Sequence, residues 1–391
     1  MGIRRKKTGL ARAAAPRSRT SHAARLLLAA FAASTPAPVN AAVFGSDDRT
    51  LVPKARLEIE QSVGLFYNSR AKTVCSAFCV GPNLIVTAAH CLFRPEADSE
   101  RADFSDFWFS LDRPGRRAFA RIRGFANGTA ELHVITGTTN LHIHPPIDAA
   151  DDWAVIKLSQ SACERHVLPV READTDEIIK LAAEKKVFQV AYHNDFKEWK
   201  PAFSHACPVA RTFDQATADD IKRDFVKPSG LILHQCDTGS ASSGSPLLAD
   251  FPGGPAVIGI SVGTYVQSKV IVRDGSVEKS FAPRTIANTA VNAAEFAGKI
   301  AALGRDDVLT GQTEITEIQQ RLSDLKFYSG PVGAAFGDLT RVAISEFQKS
   351  QKLSVTGLPT KPLLALLKGD SPPSDGLMLQ SSGKANGLDQ P

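Results

Sequence analysis

The chain of 391 residues is 43% hydrophobic and 22% charged, which suits two or three globular domains and excludes collagen, coiled coil and bulk disorder. No apolar run reaches the roughly 18 residues that a membrane-spanning helix needs. The formal charge of +5 is unevenly placed: residues 1–25 hold eight basic residues and no acidic one, and without them the balance is −3, so the excess argues for an address and against a nucleic-acid face.

In chain order, the basic stretch is followed by a short apolar run, Leu26 to Ala33, and a small-x-small site at Val39-Asn40-Ala41. That is the plan of a secretory signal peptide, so residues 1–42 are assigned to export. Arg4-Arg5 sits in surroundings that fit twin-arginine export poorly, and the competing reading is a basic tail on a cytosolic protein. Six cysteines agree with export: an even number permits disulfides, in any of 15 connectivities, and none has the two-residue spacing of a zinc ribbon or redox motif. No metal or cofactor is expected.

Residues 43–303 read as one domain that is mostly β over 43–285. Short runs rich in branched and aromatic side chains fall at Leu65–Tyr67, Leu84–Thr87, Arg117–Arg123, Trp153–Leu158, Val187–Val190, Leu231–Gln235 and Val257–Ser261, between Gly, Pro, Asn and Asp. Helical patches are predicted at Thr175–Lys186 and Ala216–Phe225, and an alanine-rich amphipathic helix at Thr285–Leu303 closes the domain. A polar linker over 304–313 leads to a small all-α domain over 314–368, with Ile315, Ile318, Leu322 and Leu325 on one helical face and Val342, Ile344, Phe347, Leu363, Leu366 and Leu367 completing its core. Residues 369–391, dominated by Ser, Gly, Pro and Gln, are expected to be disordered.

Three segments carry chemistry, in this order: Thr87-Ala88-Ala89-His90-Cys91, Asp152-Trp153-Ala154-Val155-Ile156-Lys157-Leu158, and Cys236-Asp237-Thr238-Gly239 leading to Ser242-Ser243-Gly244-Ser245-Pro246. Taken singly each is a packed histidine, a strand start and a turn. Together they supply what a serine nucleophile requires: an imidazole to take the hydroxyl proton, a carboxylate to fix and stabilise the imidazole, and a turn whose amides face the developing oxyanion.

These motifs resemble the chymotrypsin-fold serine endopeptidases, over roughly residues 42–300. The resemblance implies two six-stranded antiparallel β-barrels with a C-terminal helix. It implies His90 as base, Asp152 (rather than Asp151) as orienting carboxylate, Ser243 as nucleophile, and the backbone amides of Ala241 and Ser243 as the oxyanion hole. It also implies a Cys75–Cys91 disulfide around the histidine. Ala42 to Arg49 is similar to the mature start of bacterial glutamyl endopeptidases, implying a secreted, periplasmic or cell-envelope protein of a bacterium whose mature chain starts near Ala42 or Val43.

The departures from the family carry expectations of their own. Ser242 replaces the aspartate of the animal activation switch. Ala241 replaces the oxyanion-hole glycine and fits there only with a negative φ. Ser261 stands where glutamyl enzymes keep a histidine, and Asp237 lies where trypsin keeps the aspartate that selects basic side chains. Glutamyl relatives also carry an Asp-Thr like Asp237-Thr238 at that offset, so no side-chain preference follows. Ser261-Val262-Gly263 is expected to pair with the substrate backbone. Cys207–Cys236 would brace the nucleophile loop, leaving Cys79 and Cys163 as the remaining pair. His133, His142, His144 and Asp148 have a spacing open to a metal but are expected to be loop residues.

The small domain resembles peptidoglycan-binding three-helix modules, through Ile318-Gln319-Gln320-Arg321-Leu322, Gly333-Ala334-Ala335-Phe336-Gly337 and Ala343-Ile344-Ser345-Glu346-Phe347-Gln348. It implies peptidoglycan as a partner beside polypeptide substrates, with a protein-docking module as the alternative. The leading expectation for the whole chain is therefore an exported serine endopeptidase tethered to the envelope. The alternatives are an inactive protease fold that binds in the cell wall, and a peptidoglycan hydrolase, for which no paired acids or zinc set are found.

Overall fold

The computed structural model describes residues 42–370 except 94–102, 114–115, 165, 198–199, 214–215, 268–269, 274–275 and 281–283. Of the export segment and the C-terminal tail expected from sequence, only Ala42, Gly369 and Asp370 are among the described residues; the rest lies outside them. After β1 (Thr50–Leu51) and the one-turn α1 (Leu57–Glu60), the chain builds β2 (Val63–Asn68), β3 (Thr73–Gly81), β4 (Leu84–Thr87), β5 (Phe107–Arg113), β6 (Arg116–Arg121), β7 (Val134–Thr136) and β8 (Ala154–Lys157). These seven strands form one sheet in the order β6-β5-β2-β3-β4-β8-β7.

The second half contains α2 (Thr175–Ala183), β9 (Val187–Ala191), β10 (Ala202–His205), β11 (Val209–Ala210), α3 (Ala218–Asp224), β12 (Leu231–His234), β13 (Pro246–Phe251) and β14 (Gly254–Gln267). A two-stranded ribbon, β15 (Val270–Arg273) with β16 (Ser276–Ser280), precedes β17 (Arg284–Asn292) and α4 (Ala297–Gly304). Eight strands make the second sheet, in the order β1-β10-β9-β13-β14-β17-β12-β11. Both curled antiparallel sheets thus exceed the six strands expected, because the short β7, β1 and β11 extend their edges. Phe66, Phe78, Phe107 and Phe109 from one sheet share a continuous buried core with Phe188, Val190, Leu248 and Ile260 from the other. That shared core fixes the two halves against each other.

The helix expected over Thr285–Leu303 is in its first half a strand. β17 pairs with both β14 and β12, so Thr285, Ile286, Thr289 and Val291 meet the branched-residue preference of a central strand, and tertiary pairing overrides the alanine pattern. The Asn292 side chain then accepts from the Ala294 amide, ending the strand.

The last elements are α5 (Gln312–Asp324), α6 (Asp338–Ser350) and α7 (Lys361–Lys368), packed around Ile318, Leu322, Ile344, Phe347, Leu363 and Leu367. Leu325 and Val342, expected in this core, lie at the surface. The stretch joining α4 to α5 is itself packed. Asp306 accepts from Lys157 Nζ at 2.8 Å and from Arg123 at 2.9 Å, Val308 bridges Thr360, and Leu358 is buried within the core of the β domain. Arg341 of α6 donates to the carbonyls of Glu131 and Val134 at 2.6 and 3.2 Å.

Candidate active site

Strand register brings the first two segments together. β4 and β8 are antiparallel with Thr87 opposite Ala154, so the turn after β4 and the residues before β8 leave the sheet at the same end. There the carboxylate of Asp152, 1% exposed, accepts from the His90 amide at 2.9 Å. Its other oxygen lies 2.6 Å from His90 Nδ1, where an N–H would donate to it. Burial of the ring opposes its charging, yet the Asp152 charge and hydrogen bond outweigh burial and hold His90 above its ordinary pKa of 6.5. Asp151 points elsewhere: burial raises its carboxyl, and its charged neighbours are Lys227, Glu295 and Asp148.

The third segment crosses from the second sheet to meet the first of these. The Ser243 carbonyl accepts from the Ser76 amide at 2.8 Å and lies 4.0 Å from Cys91 Sγ, beside His90. Ala241 and Gly244 have φ of +80° and +82°. At Gly244 a side chain is doubly barred, since a Cβ would sit 2.2 Å from Thr87 Oγ1 and 2.3 Å from the Ser76 carbonyl. Ala241 overturns the expectation of a negative φ, at a backbone cost of about 1–3 kcal/mol. Its carbonyl accepts from the Ser76 hydroxyl at 2.8 Å, and that same hydroxyl accepts from the Tyr192 amide at 3.0 Å. The amides of Ser242, Gly244 and Ser245 donate to Gly239, Ser261 and Ser242 carbonyls, whereas those of Ala241 and Ser243 have no acceptor among the described residues.

Asp237 faces the N-terminal segment. Its two oxygens accept from the amides of Phe44 and Asp48 at 2.8 and 2.9 Å, while burial raises its pKa. Thr238 pairs with Ala42 through a 3.0 Å backbone bond. Arg49 completes this attachment: its guanidinium, 3% exposed, bridges Asp47 and Asp195 at 2.7 and 2.8 Å. Gly239 packs so closely here that a Cβ would meet Asp195 Oδ1 at 2.2 Å. His193 Nδ1 accepts from the Gly239 amide at 2.9 Å, and burial lowers its pKa to about 4. Ser261 has its amide and carbonyl committed to Ser245 and Gly244, Val262 lies at a bulge, and Gly263 stands opposite Thr289 with an exposed surface.

Three disulfides join Cys75–Cys91, Cys79–Cys163 and Cys207–Cys236, with Cα separations of 6.2, 5.8 and 4.6 Å. Cys75, His90 and Cys91 bring three ligating atoms together, but both sulfurs are spent in a disulfide. His142 instead donates its amide to Asp148 at 2.8 Å, and His133 is buried away from solvent. Sequence reasoning missed Ser76, Arg49 and Asp195, because nothing in the local pattern of a serine in a strand or a charge in a loop announces a partner 100 or more residues away.

Comparison with known proteins adds two family matches. Residues 53–271, more than half of the chain, match the family described as Trypsin, and residues 311–367 match the Putative peptidoglycan binding domain. No curated protein matches the chain. A solved structure, "Structure of Glu endopeptidase in complex with MPD", aligns with 66% of this chain and 99% of its own at 15% identity and a TM-score of 0.40.

Proposed function

Since the chain belongs to the trypsin family of serine-type endopeptidases, we propose that it works as an exported protease in which His90, Asp152 and Ser243 form the triad. The observation that carries this reading is the double hold of buried Asp152 on His90, through the amide and Nδ1, which fixes the ring with Nε2 left for a nucleophile. In the reaction, His90 Nε2 takes the Ser243 hydroxyl proton as Oγ attacks the scissile carbonyl. The oxyanion of the tetrahedral adduct is met by the amides of Ala241 and Ser243, consistent with their having no acceptor among the described residues. His90 returns its proton to the leaving amine, and water, activated by the same ring, resolves the acyl-enzyme.

Asp237 is committed to the N-terminal segment, so it is a poor selector of basic substrates. The α5–α7 module supports an envelope location, with peptidoglycan as its ligand. No helix among the described residues is long and apolar enough to cross a membrane.

The test is incubation with a serine-directed phosphonate, mass mapping of the adduct, and assay of Ser243→Ala, His90→Ala and Asp152→Ala on a peptide substrate. Labelling at Ser243 is expected, with losses of about four to six orders of magnitude for Ser243 and His90 and somewhat less for Asp152. Unlabelled Ser243 in folded protein would favour an inactive protease fold that only binds. Co-sedimentation with purified sacculi tests the wall ligand.

A further inference from the structure

The alanine at 241 sets a problem that the rest of the loop has to solve. Left-handed backbone is easy for glycine and unfavourable for alanine, so a strained residue persists only where its surroundings over-determine it. Ala241 is buried, and on its carbonyl side it has one directed contact, the hydroxyl of Ser76 at 2.8 Å. Ser76 lies in β3 of the other sheet, one residue after the cysteine that is bridged to the neighbour of His90. It is fully buried, and the Tyr192 amide at 3.0 Å fills an acceptor position on its oxygen and so steers its proton toward the Ala241 carbonyl. Its backbone amide holds the Ser243 carbonyl at 2.8 Å. One residue therefore grips the loop on both sides of Ser242, through its side chain at Ala241 and its main chain at Ser243.

We propose that Ser76 is a positioning residue for the reaction: its hydroxyl latches the Ala241 carbonyl so that an alanine keeps the left-handed backbone which turns its amide, with that of Ser243, toward the oxyanion. The hydroxyl does in this chain what a glycine at 241 would do unaided. The inference rests on the reading of Ala241 as an oxyanion-hole residue. Without the hydroxyl, Ala241 relaxes toward negative φ, its amide turns away, and transition-state stabilisation falls while ground-state binding persists. A glycine at 241 carries no such penalty and makes the latch dispensable.

The experiment compares Ser76→Ala, Ala241→Gly and the double variant. Removing one oxyanion donor outright costs about 100- to 1000-fold in kcat, and misplacing one is expected to cost about 10- to 100-fold, with KM within about threefold. Ala241→Gly serves as the reference background at whatever activity it has, and Ser76→Ala made in that background should fall less than about threefold below it. An equal loss in both backgrounds, or a Ser76→Ala enzyme within threefold of wild type, overturns the latch. If Ser76→Ala does not fold, the double variant decides: it folds and keeps the activity of Ala241→Gly to within about threefold if the hydroxyl acts through Ala241, and its failure to fold where Ala241→Gly folds overturns the proposal. A wild-type protein that neither hydrolyses peptides nor takes the phosphonate would refute the protease reading instead. The latch would then be read from thermal unfolding of the same variants, where Ser76 and Ala241 must couple and additive shifts would overturn it.

Discussion

Arg49→Met tests whether the N-terminal segment is a working part of the loop that carries Ser243. The guanidinium makes four charge-assisted bonds, to Asp47 at 2.9 and 2.7 Å and to Asp195 at 2.9 and 2.8 Å, and its side chain is 3% exposed. Breaking a fully buried pair costs about 3–5 kcal/mol, and an exposed one about 0–1. Asp47 and Asp195 are 45% and 43% exposed and would rehydrate, so the expected loss lies between, at about 2–3 kcal/mol. Urea unfolding measures it. Arg49→Lys should recover less than half, since an ammonium keeps the charge but not the fork that spans two carboxylates. Amide exchange should rise at Thr238 and Gly239, whose acceptors are the Ala42 carbonyl and His193 Nδ1. A loss under about 1 kcal/mol with unchanged exchange at both amides would refute the reasoning.

Acid should destabilise the protein. Burial lowers the pKa of His133 and His193 to about 4 and of His234 to about 3, so the unfolded chain binds more protons as pH falls below 6.5. Their contribution is present above pH 6.5 and lost on the way down to the folded values. Each histidine adds a slope of up to about 1.4 kcal/mol per pH unit, and His133→Gln should remove one such slope from the urea midpoints measured across this range. His90 is shifted the other way, so the acid limb of kcat/KM should lie above 6.5. Asp152→Asn should move that limb down as activity falls about 10⁴-fold, and an unmoved limb would separate it from His90. Gly244→Ala combines a φ of +82° with a Cβ 2.2 Å from Thr87 Oγ1, and should unfold the protein or cost more than about 3 kcal/mol in thermal melts.

How much of this was legible in the sequence follows from the range of each interaction. His90, Asp152 and Ser243 stand in short motifs whose flanking strands can be read locally, so they could be proposed as a triad from spacing and resemblance alone. The strand at Arg284–Asn292 could not, since its alanines suit a helix and only pairing with β14 and β12 decides otherwise. Leu325 and Val342 fit a helical stripe but lie at its margin, outside the small core. The φ of Ala241 was hidden for a similar reason. It depends on Ser76, 165 residues away, and a serine inside a β-strand reads as an ordinary packing position.

The same long-range packing changes what the C-terminal module does physically. A domain on a flexible linker raises local concentration but leaves orientation free. Here the junction is fastened at several points. Lys157, at the end of the strand that begins beside Asp152, is buried and donates to Asp306, while Arg341 closes on the carbonyls of Glu131 and Val134 next to β7. Leu358 sits in the β-domain core, so removing the module would open that core as well as cut a tether. Lys299 of α4 adds a 2.6 Å bond to the Val355 carbonyl from the other direction. Whatever α5–α7 holds is therefore presented to the β domain at a fixed angle. A ligand held by the module would restrict which polypeptides can reach His90 by geometry as well as by distance, which a tether of similar reach could not do.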